Sequence, residues 1–387
     1  MFQRAVFGEG FAGALSELSA PRAFWAVAFD ELRTSRLFDV LAEAEAGLSD
    51  GEVLAGYLSY ECALAVEPQL PLPEPPLGLP AACFAVFTEQ SLIPEGPFDP
   101  AKSPAPNAID LGQSRAAYAA QVVDIQSRIS AGDVFQVNLS HRQRATFPQQ
   151  TDRLIESLSK EQALRAPFGA WLDFGTFSVL SASPEQFLTL VGATISSEPI
   201  KGTRPRSDDP VRDQALLEDL EGDQKDRAEN IMIVDLMRND FAKVCDDGSV
   251  TEPVICASRS YPSVHHLYSR IEGRLRDKAS FADALKATFP CGSITGAPKL
   301  AAMEAIAELE GEGRGPYCGT VFWRTHQRGA ASVAIRTAVI DEAQRRVDAR
   351  SGGGVTILSD PEAEFEETLD KAYLFRALTG HDDPDRR

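Results

Sequence analysis

Alternation of apolar and polar side chains with a period of two constrains the fold of this chain more than any other feature. In the clearest segment, 134–140, Phe135, Val137 and Leu139 share one face and mostly polar residues share the other. Such alternation predicts β-strands. The strand-like segments are not separated by regularly spaced helices, as a parallel sheet would require. We therefore predict an α+β fold with large antiparallel sheets and helices packed outside.

The same patterns assign most of the remaining chain to strands or helices. Residues 168–203 have the pattern of a meander of short strands, and residues 213–244 that of one long helix. Further strands are predicted near 264–275, 317–323, 331–341 and 353–358, and further helices near 281–288, 298–310 and 362–378.

One helix can be delimited from its capping residues. Ser114 is a suitable N-cap, and Gly132 can end the helix in the left-handed conformation. Its apolar stripe is predicted to consist of Tyr118, Val122, Ile125 and Ile129.

A proline-rich stretch divides the chain. Residues 67–108 hold 11 of the 25 prolines, so we expect this stretch to be extended, rich in loops and on the surface. It suggests an N-terminal portion, 1–105, that ends in this stretch, and a more regularly patterned core, 106–387.

Charge and composition exclude some classes of function. The net charge is −19, which argues against nucleic acid as a general partner, because phosphate binding needs a basic face. An anionic substrate would therefore have to be met by locally placed cations, a helix N-terminus or a metal ion.

The N-terminus and the cysteines indicate a compartment. The sequence has no signal-peptide pattern at its start and no apolar run long enough to span a membrane. Its six cysteines are scattered without a CxxC pair, which predicts reduced thiols and a cytoplasmic location. The five histidines have no metal-binding spacing, and at most one of His265 and His266 is expected to face a site.

Lys201 is the first candidate for chemistry. It lies between Ile200 and Gly202, with Arg204 and Arg206 close behind. Nearby cations favour loss of the lysine proton, and the neutral amine is a nucleophile. The alternative is a solvated lysine in a turn.

Two predicted helices carry carboxylates that can hold Mg²⁺. Glu229 shares a mainly apolar helical face, where a carboxylate is costly unless it is paired or bound to a metal ion. Glu367 lies three residues after Glu364 and four before Lys371. Glu229 and Glu367 could together bind Mg²⁺, which takes few protein oxygens. The alternatives are a Glu229 that reaches water at the edge of its stripe and an ordinary surface pair of Glu367 with Lys371.

Other segments are suited to an anion. The loop 289–299 leads into a helix and can present backbone N–H groups, and Gly352–Gly354 at the start of a strand let a ligand approach the main chain. Arg336 lies within an apolar strand and can bind a carboxylate in a bidentate manner. A bulge or tight turn at the glycines and a structural salt bridge at Arg336 are the alternatives.

Several motifs, in the order in which they occur along the chain, resemble those of the chorismate-utilising enzymes. This family includes anthranilate, aminodeoxychorismate, isochorismate and salicylate synthases. The likeness covers roughly residues 110–380, and the first hundred residues fit less distinctly. The matching segments are 132–140, 183–185, 199–206, 227–240, 290–299, 334–337 and 352–371.

The resemblance implies a single domain with two packed antiparallel sheets that binds chorismate with Mg²⁺. It implies Glu229 and Glu367 as metal ligands with Glu364 close by, and His266 near the substrate ring. The substrate contacts that it implies are Arg336, Tyr317, Lys371, Thr295, Gly296 and the backbone of Gly352, Gly353 and Gly354.

The identity of residue 201 distinguishes the branches of the family. Members that make anthranilate or isochorismate are expected to have alanine there, whereas Lys201 is similar to the aminodeoxychorismate branch of folate biosynthesis. In that branch the lysine attacks C2 of chorismate, the C4 hydroxyl leaves, and ammonia adds at C4. Glu185 matches the general acid that protonates the leaving hydroxyl. A free lysine has a pKa of about 10.4, so we expect Arg204, Arg206 and Mg²⁺ to help deprotonate Lys201.

The nitrogen source is predicted to be a separate glutamine amidotransferase subunit, or free ammonia, because no cysteine lies in a Gly-x-Cys-x-Gly context. Anthranilate synthase is the nearest alternative function. An isochorismate or salicylate synthase fits less well, since Lys201 would compete with water at C2. A non-catalytic chorismate-binding subunit would have no use for Lys201 and Glu185.

Overall fold

A computed structural model describes residues 2–93, 105–148, 160–161, 165–261 and 264–380. In this part of the chain, eighteen strands alternate with nine α-helices and three short 3₁₀ helices, at 32–34, 60–65 and 292–294. None of these helices is long and apolar enough to cross a membrane.

The strands are β1 Arg4–Phe7, β2 Ser16–Val27, β3 Val53–Leu58, β4 Ala82–Leu92, β5 Ala108–Asp110, β6 Gln136–Thr146, β7 Phe168–Asp173, β8 Phe177–Ser183, β9 Gln186–Val191, β10 Thr194–Ser197, β11 Ile200–Pro205, β12 Thr251–Ser260, β13 Val264–Arg274, β14 Gly296–Ala297, β15 Thr320–Arg324, β16 Arg328–Val333, β17 Thr337–Asp341 and β18 Arg346–Val355.

The helices are α1 Glu9–Ala12, α2 Leu37–Ala46, α3 Arg115–Ala131, α4 Pro210–Gly222, α5 Gln224–Ala242, α6 Phe281–Thr288, α7 Lys299–Glu310, α8 Pro361–Lys371 and α9 Tyr373–Thr379.

The strands form one antiparallel sheet. At one end of the sheet, β5 and β14 both pair with β6. At the other end, β11 and β12 both pair with β13. Between them the order is β6, β18, β17, β8, β7, β1, β2, β4, β3, β15, β16, β9, β10 and β13. The predicted α+β class with antiparallel strands is confirmed, and the two expected sheets are joined into one.

The sheet curls until its two ends face each other. Gly354 lies on β18, next to one end, and Lys201 lies on β11 at the other end. A Cβ atom added to Gly354 would lie only 3.6 Å from the Nζ atom of Lys201. The curl therefore brings residues from distant strands to one place.

Several elements have the predicted bounds. Ser114 accepts a hydrogen bond from the backbone N–H of Ala117, and Gly132 ends α3 with a φ of 87°. Tyr118, Val122 and Ile125 of its stripe are buried. The predictions at 281–288 and 298–310 correspond to α6 and α7.

The predicted long helix 213–244 is wrong as a single element. The chain leaves the helical conformation at Asp223, whose side chain accepts hydrogen bonds from the N–H groups of Lys225 and Asp226. Asp223 therefore ends α4 and caps α5 at the same time. The predicted helix 362–378 is likewise interrupted, at Ala372.

Two strand predictions also need correction. Arg336, expected inside a strand, has a φ of 51° and separates β16 from β17. Gly352–Gly354 lie near the end of β18 rather than at the start of a strand, and they pair with β6. A Cβ atom on Gly352 would lie 2.2 Å from the carbonyl oxygen of Leu139, so the close approach of the two strands requires glycine there.

The proline-rich stretch is only partly a surface loop. Residues 67–80 are irregular, but β4 lies within the stretch, and its first six residues are buried. Strand formation is possible because residues 81–93 contain no proline. Residues 94–104 lie outside the described residues. The portions on either side share the sheet, since β1 pairs with β7 and β3 pairs with β15.

The buried side chain of Arg314 connects segments that are far apart in the sequence. The Arg314 guanidinium donates to both carboxylate oxygens of Glu310, at 3.0 and 2.6 Å, to the carbonyl of Ile294 at 3.1 Å and to that of Asn138 at 2.6 Å. The side chains of Arg314 and Glu310 are each 1% exposed. The ion pair therefore lies in an environment where an unpaired charge would be very costly.

We expect Arg314→Met to lower the free energy of unfolding by about 3–5 kcal/mol, because it leaves Glu310 buried without its main partner. Urea unfolding followed by circular dichroism measures this difference. The control is Arg274→Met, because the Arg274 side chain is 72% exposed and lies 3.7 Å from Asp246. The control should cost no more than about 1 kcal/mol. Equal losses in the two variants would contradict a structural role for Arg314.

A second buried carboxylate gives stability a pH dependence. Glu61 accepts hydrogen bonds from the N–H groups of Arg314 and Gly315. Burial raises the pKa of Glu61 to about 7, although these N–H groups act in the opposite direction. A glutamate in an unfolded chain has a pKa of about 4.3. The folded state therefore binds the proton more tightly, and this contribution to stability is lost as the pH rises through about 7.

We expect the stability of the wild-type chain, relative to Glu61→Gln, to fall by roughly 2 kcal/mol between pH 5.5 and 8. Urea unfolding at the two pH values measures the change. Glu304→Gln, on an exposed position of α7, is the control and should leave the wild-type pH dependence intact. The prediction fails if Glu61→Gln keeps that dependence as well.

Candidate active site

A cavity of about 990 Å³ lies where the two ends of the sheet face each other. Helices α5 and α8 contribute to its wall, as do the segments between β8 and β9 and between β16 and β17. Most of the predicted site residues line it: Glu185, Lys201, Glu229, His266, Tyr317, Arg336, Gly352, Gly354, Glu364, Glu367 and Lys371.

Lys201 is presented to the cavity by an irregularity in β11. The register of β11 against β13 shifts between Ile200 and Thr203, and Gly202 has a φ of 80°. A side chain at Gly202 would be strained in this conformation and would meet the Asp226 carboxylate at 2.8 Å. The Nζ atom of Lys201 donates a hydrogen bond of 3.4 Å to the carbonyl of Ser293. Lys201 therefore lies in the wall of the cavity and not in a solvated turn.

The expected neighbours of Lys201 are engaged elsewhere. The Arg204 guanidinium donates to Asp219, Asp223 and Asp226, and Arg206 donates to Asp213. These carboxylates balance the charges of the two arginines. The idea that Arg204 and Arg206 favour deprotonation of Lys201 therefore finds no support in these contacts.

Glu185 is held in the short connection between β8 and β9. The backbone N–H of Glu185 donates a hydrogen bond to the Ser183 hydroxyl, and the carbonyl of Glu185 accepts one from the N–H of Val333. The residue is 6% exposed, and its Oε1 atom has no hydrogen-bond partner among the described residues. Burial raises the pKa of Glu185, and the charge of Lys201 opposes this rise. A buried carboxyl with a raised pKa can hold a proton for donation.

Three carboxylates converge from two helices. Glu229 lies on α5, and Glu364 and Glu367 lie on α8. A Cβ atom on Gly353 would lie 3.2 Å from Glu364 Oε2 and 3.6 Å from Glu367 Oε1, so these groups approach the glycine backbone closely. Glu364 Oε2 and Glu229 Oε1 have no hydrogen-bond partner in the described part of the chain.

Their pKa values differ in direction. Burial raises the pKa of Glu229, with Lys201 acting against it, and burial also raises the pKa of Glu364, where the hydroxyl of Ser359 acts against it. Burial acts on Glu367 too, but the charge of Lys371 and a hydrogen bond from it outweigh burial and lower the pKa of Glu367. The predicted pair of Glu367 with Lys371 forms, but inside the cavity wall.

The carboxylates do not form a complete metal cage. Among the described residues, no group of three histidine, cysteine, aspartate or glutamate side chains could hold a metal ion alone. Mg²⁺ commonly takes one or two protein carboxylates and completes its shell with water and substrate oxygens. The unpartnered oxygens of Glu229 and Glu364 fit such a site.

Arg336 is an unpaired cation in the wall. Its guanidinium lies 5.5 Å from the centre of the Tyr373 ring, and its Nη1 atom has no hydrogen-bond partner among the described residues. Burial lowers the pKa of Arg336. No ion pair joins it to a carboxylate in this part of the chain, so the alternative of a structural salt bridge is not observed. A buried guanidinium with a free N–H group can bind an anion.

The two histidines separate as expected. His266 lines the cavity, and its Nδ1 atom lies 2.9 Å from the hydroxyl of Thr203. His265 is 2% exposed on the other side of β13, between Ser260 and Asp213. Burial lowers the pKa of His266, the Gly202 backbone raises it, and the charge of Arg336 lowers it further.

Thr295 and Gly296 do not line the cavity. The Thr295 hydroxyl donates within its own turn, to the carbonyls of Cys291 and Gly292. Gly296 pairs with Val137 of β6. The loop contributes Ser293 and Ile294 to the cavity instead. The role predicted for Thr295 and Gly296 in substrate binding remains a prediction.

Several lining residues were not identified from the sequence. Lys225 could have been found, because it precedes Glu229 by four residues on α5, and its Nζ atom lies 3.9 Å from Glu229 Oε1. Asn138 belongs to the polar face of the predicted strand. No comparable signal marks further lining residues such as Ser293, Arg350, Ser351, Asp370 and Tyr373.

Comparisons with known proteins agree on one family. The profile of the family described as chorismate binding enzyme matches residues 17–377. The aminodeoxychorismate synthase component 1 of Salmonella typhimurium is 42% identical over 259 residues, which are 67% of this chain and 56% of that protein. The Escherichia coli protein of the same name is 41% identical with the same coverage. An anthranilate synthase component 1 of Haloarcula marismortui is 43% identical over 66% of this chain and 50% of its own length.

Solved structures share the fold. Anthranilate synthase component I of Streptococcus pneumoniae superposes with a TM-score of 0.73 and 24% identity, over 98% of this chain and 90% of that chain. The menaquinone-specific isochorismate synthase of Escherichia coli also superposes with a TM-score of 0.73. It is 18% identical, over 98% of this chain and 89% of that chain. At these identities the structures establish the fold, whereas the matched part of this chain spans only about half the length of its curated relatives.

Proposed function

Because the chain belongs to the chorismate binding enzyme family, we propose that it is component 1 of an aminodeoxychorismate synthase. It would convert chorismate and ammonia to 4-amino-4-deoxychorismate, on the route to 4-aminobenzoate and folate. The observation that carries this proposal is Lys201, a lysine in the cavity wall close enough to Glu185 for its charge to influence that carboxyl.

The reaction is proposed to proceed through a lysine adduct. The neutral Lys201 amine forms a bond to C2 of chorismate, the two conjugated ring double bonds each shift by one position towards C4, and the C–O bond at C4 breaks. Glu185 gives its proton to the departing hydroxyl, which leaves as water. Ammonia then bonds to C4, both double bonds shift back, and the C2–N bond breaks to return the electron pair to Lys201. The proton released from the added nitrogen can restore Glu185.

The environment of Glu185 supports its role as the acid. A carboxyl with an ordinary pKa would be ionised at neutral pH and could not donate. Burial of Glu185 favours the protonated form, as general acid catalysis requires. The nearby Lys201 would be the group that attacks, so both reacting groups lie on the same wall.

Mg²⁺ would be held by Glu229 and Glu367, with Glu364 close by. The oxygens of Glu229 and Glu364 that have no hydrogen-bond partner support a role for these two residues, and Glu367 would bind the ion beside its ion pair with Lys371. When bound, the ion would neutralise and orient a carboxylate of the substrate. Lys225 would remain near Glu229 as a further cation in this part of the wall.

The remaining charge of the substrate would be met by protein cations. Arg336 has a free N–H group for one carboxylate, and Tyr317 lies in the same wall. Lys371 and the backbone of Gly352–Gly354 are proposed as contacts for the substrate, and His266 as the group near its ring. The unpaired state of Arg336 is the strongest support for an anionic ligand.

Ammonia is proposed to come from a glutamine amidotransferase subunit. The name component 1 of the bacterial relatives implies a further component in those enzymes. A cytoplasmic location is proposed from the cysteines, since all six are buried and unpaired.

We expect Lys201→Ala to lose nearly all amination of chorismate, and Glu185→Gln to lose on the order of 10²–10⁴-fold in kcat. The purified chain is incubated with chorismate, Mg²⁺ and ammonium at mildly alkaline pH, and products are identified by mass spectrometry. Lys286→Ala, on an exposed position of α6, is the matched control.

The wild-type product decides between the related functions. Aminodeoxychorismate retains the enolpyruvyl group, whereas anthranilate does not. Anthranilate as the main product would favour the function of the Haloarcula relative, and isochorismate would favour attack by water at C2. Either result, or full amination by Lys201→Ala, would refute the proposed role of Lys201.

We expect Arg336→Gln to raise KM for chorismate by roughly 10–100-fold, because a hydrogen bond to a charged group is worth about 1.5–3 kcal/mol. Steady-state kinetics with varied chorismate measure this effect. Arg274→Gln, at an exposed site away from the cavity, should behave like the wild type. An unchanged KM in Arg336→Gln would exclude this residue from substrate binding.

A further inference from the structure

We propose that Ser293 is a positioning residue of the active site, which orients the acid Glu185 through its hydroxyl and the nucleophile Lys201 through its main-chain carbonyl. Ser293 lies in the short 3₁₀ helix at 292–294, lines the cavity and is only 4% exposed. The inference rests on the proposed function, because it takes Glu185 and Lys201 as the reacting groups.

The turn that carries Ser293 is held in place from both sides. The Thr295 hydroxyl donates back into the turn, to the carbonyl of Gly292 at 3.3 Å. The buried guanidinium of Arg314 donates to the carbonyl of Ile294 at 3.1 Å. Both chain neighbours of Ser293 therefore make fixed contacts, so its carbonyl and its hydroxyl have defined positions in the cavity wall.

The carbonyl of Ser293 accepts the 3.4 Å hydrogen bond from the Nζ atom of Lys201. A carbonyl oxygen can only accept, so a neutral amine must use one of its N–H groups in this bond. The lone pair of the amine is then directed away from the turn and remains available for C2 of chorismate. The main chain of Ser293 thus favours the orientation in which Lys201 can attack.

The hydroxyl of Ser293 acts on Glu185. Burial raises the pKa of Glu185, while the charge of Lys201 and a hydrogen bond from the Ser293 side chain act against this rise. The Oε1 atom of Glu185 has no hydrogen-bond partner among the described residues. A hydroxyl that donates to Oε2 leaves the acid proton on Oε1, because an oxygen that accepts this bond is the carbonyl oxygen of the acid. Ser293 would thereby set which oxygen protonates the departing hydroxyl.

A buried thiol fixes the direction of the Ser293 hydroxyl. The Sγ atom of Cys291 lies 3.3 Å from Ser293 Oγ. Burial raises the pKa of Cys291 to about 12, so the thiol keeps its proton and can donate it. A hydroxyl that accepts from Cys291 has its own O–H free for Glu185. The three side chains therefore form a chain of hydrogen bonds that runs from the thiol to the carboxyl.

The first test removes only the hydroxyl, with Ser293→Ala, and restores it with Ser293→Thr. We expect Ser293→Ala to lower kcat by about tenfold and to keep KM for chorismate within about twofold, because the main-chain carbonyl remains. Ser293→Thr should keep kcat within about threefold of the wild type, since the added methyl group can point into the cavity. Steady-state kinetics with Mg²⁺ and saturating ammonium give both constants.

The matched control is Ser197→Ala. Ser197 is fully buried, its hydroxyl lies 3.7 Å from the Sδ atom of Met237, and it does not line the cavity. We expect wild-type kcat and KM in this variant. An equal fall of kcat in Ser197→Ala and Ser293→Ala would show that any buried hydroxyl has this effect, and it would overturn the positioning role.

The pH dependence of kcat separates positioning from a general loss of structure. Ser293→Ala removes a hydrogen bond that lowers the pKa of Glu185, whereas Lys201 and Lys371, the cations that act on the same carboxyl, are unchanged. The acid should keep its proton to a higher pH, so the fall of kcat on the alkaline side should move upward. A lower kcat with an unmoved alkaline limb contradicts the inference.

A second pair of variants serves if Ser293→Ala fails to fold by circular dichroism. Cys291→Ala removes the thiol that orients the hydroxyl, and we expect kcat to fall by about threefold with the alkaline limb moved in the same direction. Cys291→Ser keeps a donor at this position and should retain the wild-type kcat. Equal kcat values in the two Cys291 variants overturn the proposed chain of hydrogen bonds.

The outcomes separate the positioning role from the function. A lower kcat in Ser293→Ala, an upward shift of its alkaline limb and recovery in Ser293→Thr support the role. A wild-type kcat in Ser293→Ala, or an equal loss in Ser293→Thr, overturns the role and leaves the proposed function intact if Lys201→Ala is inactive. A wild-type chain that makes no aminated product overturns both.

Discussion

The buried pair of Arg314 and Glu310 is the contact on which the geometry of the cavity depends. Through its five N–H groups, Arg314 fixes the end of α7, the loop at Ile294 and the strand at Asn138. Glu310 in turn accepts hydrogen bonds from the N–H and the hydroxyl of Ser140. Because these segments carry Asn138, Ser293 and Tyr317 into the cavity wall, one desolvated ion pair sets the relative positions of several site residues.

Local signals in the sequence were sufficient for elements whose ends are defined by caps. Helix α3 has its bounds because Ser114 and Gly132 supply capping groups at its two ends. Elements fail to be predicted where a tertiary contact overrides the pattern. Asp223 interrupts a helical pattern because its carboxylate caps the start of α5 and also accepts a hydrogen bond from Arg204. The first residues of β18 carry Asp348 and Arg350 on the face opposite Val347 and Ala349, and both charged residues are buried in ion pairs.

The candidate site was easier to predict than the strands around it. Lys201, Glu229 and Arg336 are all charged residues in segments with apolar neighbours, and each lines the cavity. Their mutual placement could not be derived from spacing, since it depends on the curl of the sheet that brings β11 opposite β18. For the same reason, the sequence did not predict that Arg204 and Arg206 form ion pairs with nearby carboxylates.

The strand order has a consequence for how the protein is made. Leu58 on β3 pairs with Thr320 on β15, and the strands between them in the chain lie on both sides of this pair in the sheet. During synthesis, one edge of β3 therefore stays without its partner until most of the chain has left the ribosome. An open strand edge is prone to aggregate, and contacts so far apart in sequence form slowly. Nascent chains should therefore depend on chaperones that cover this edge until β15 is available.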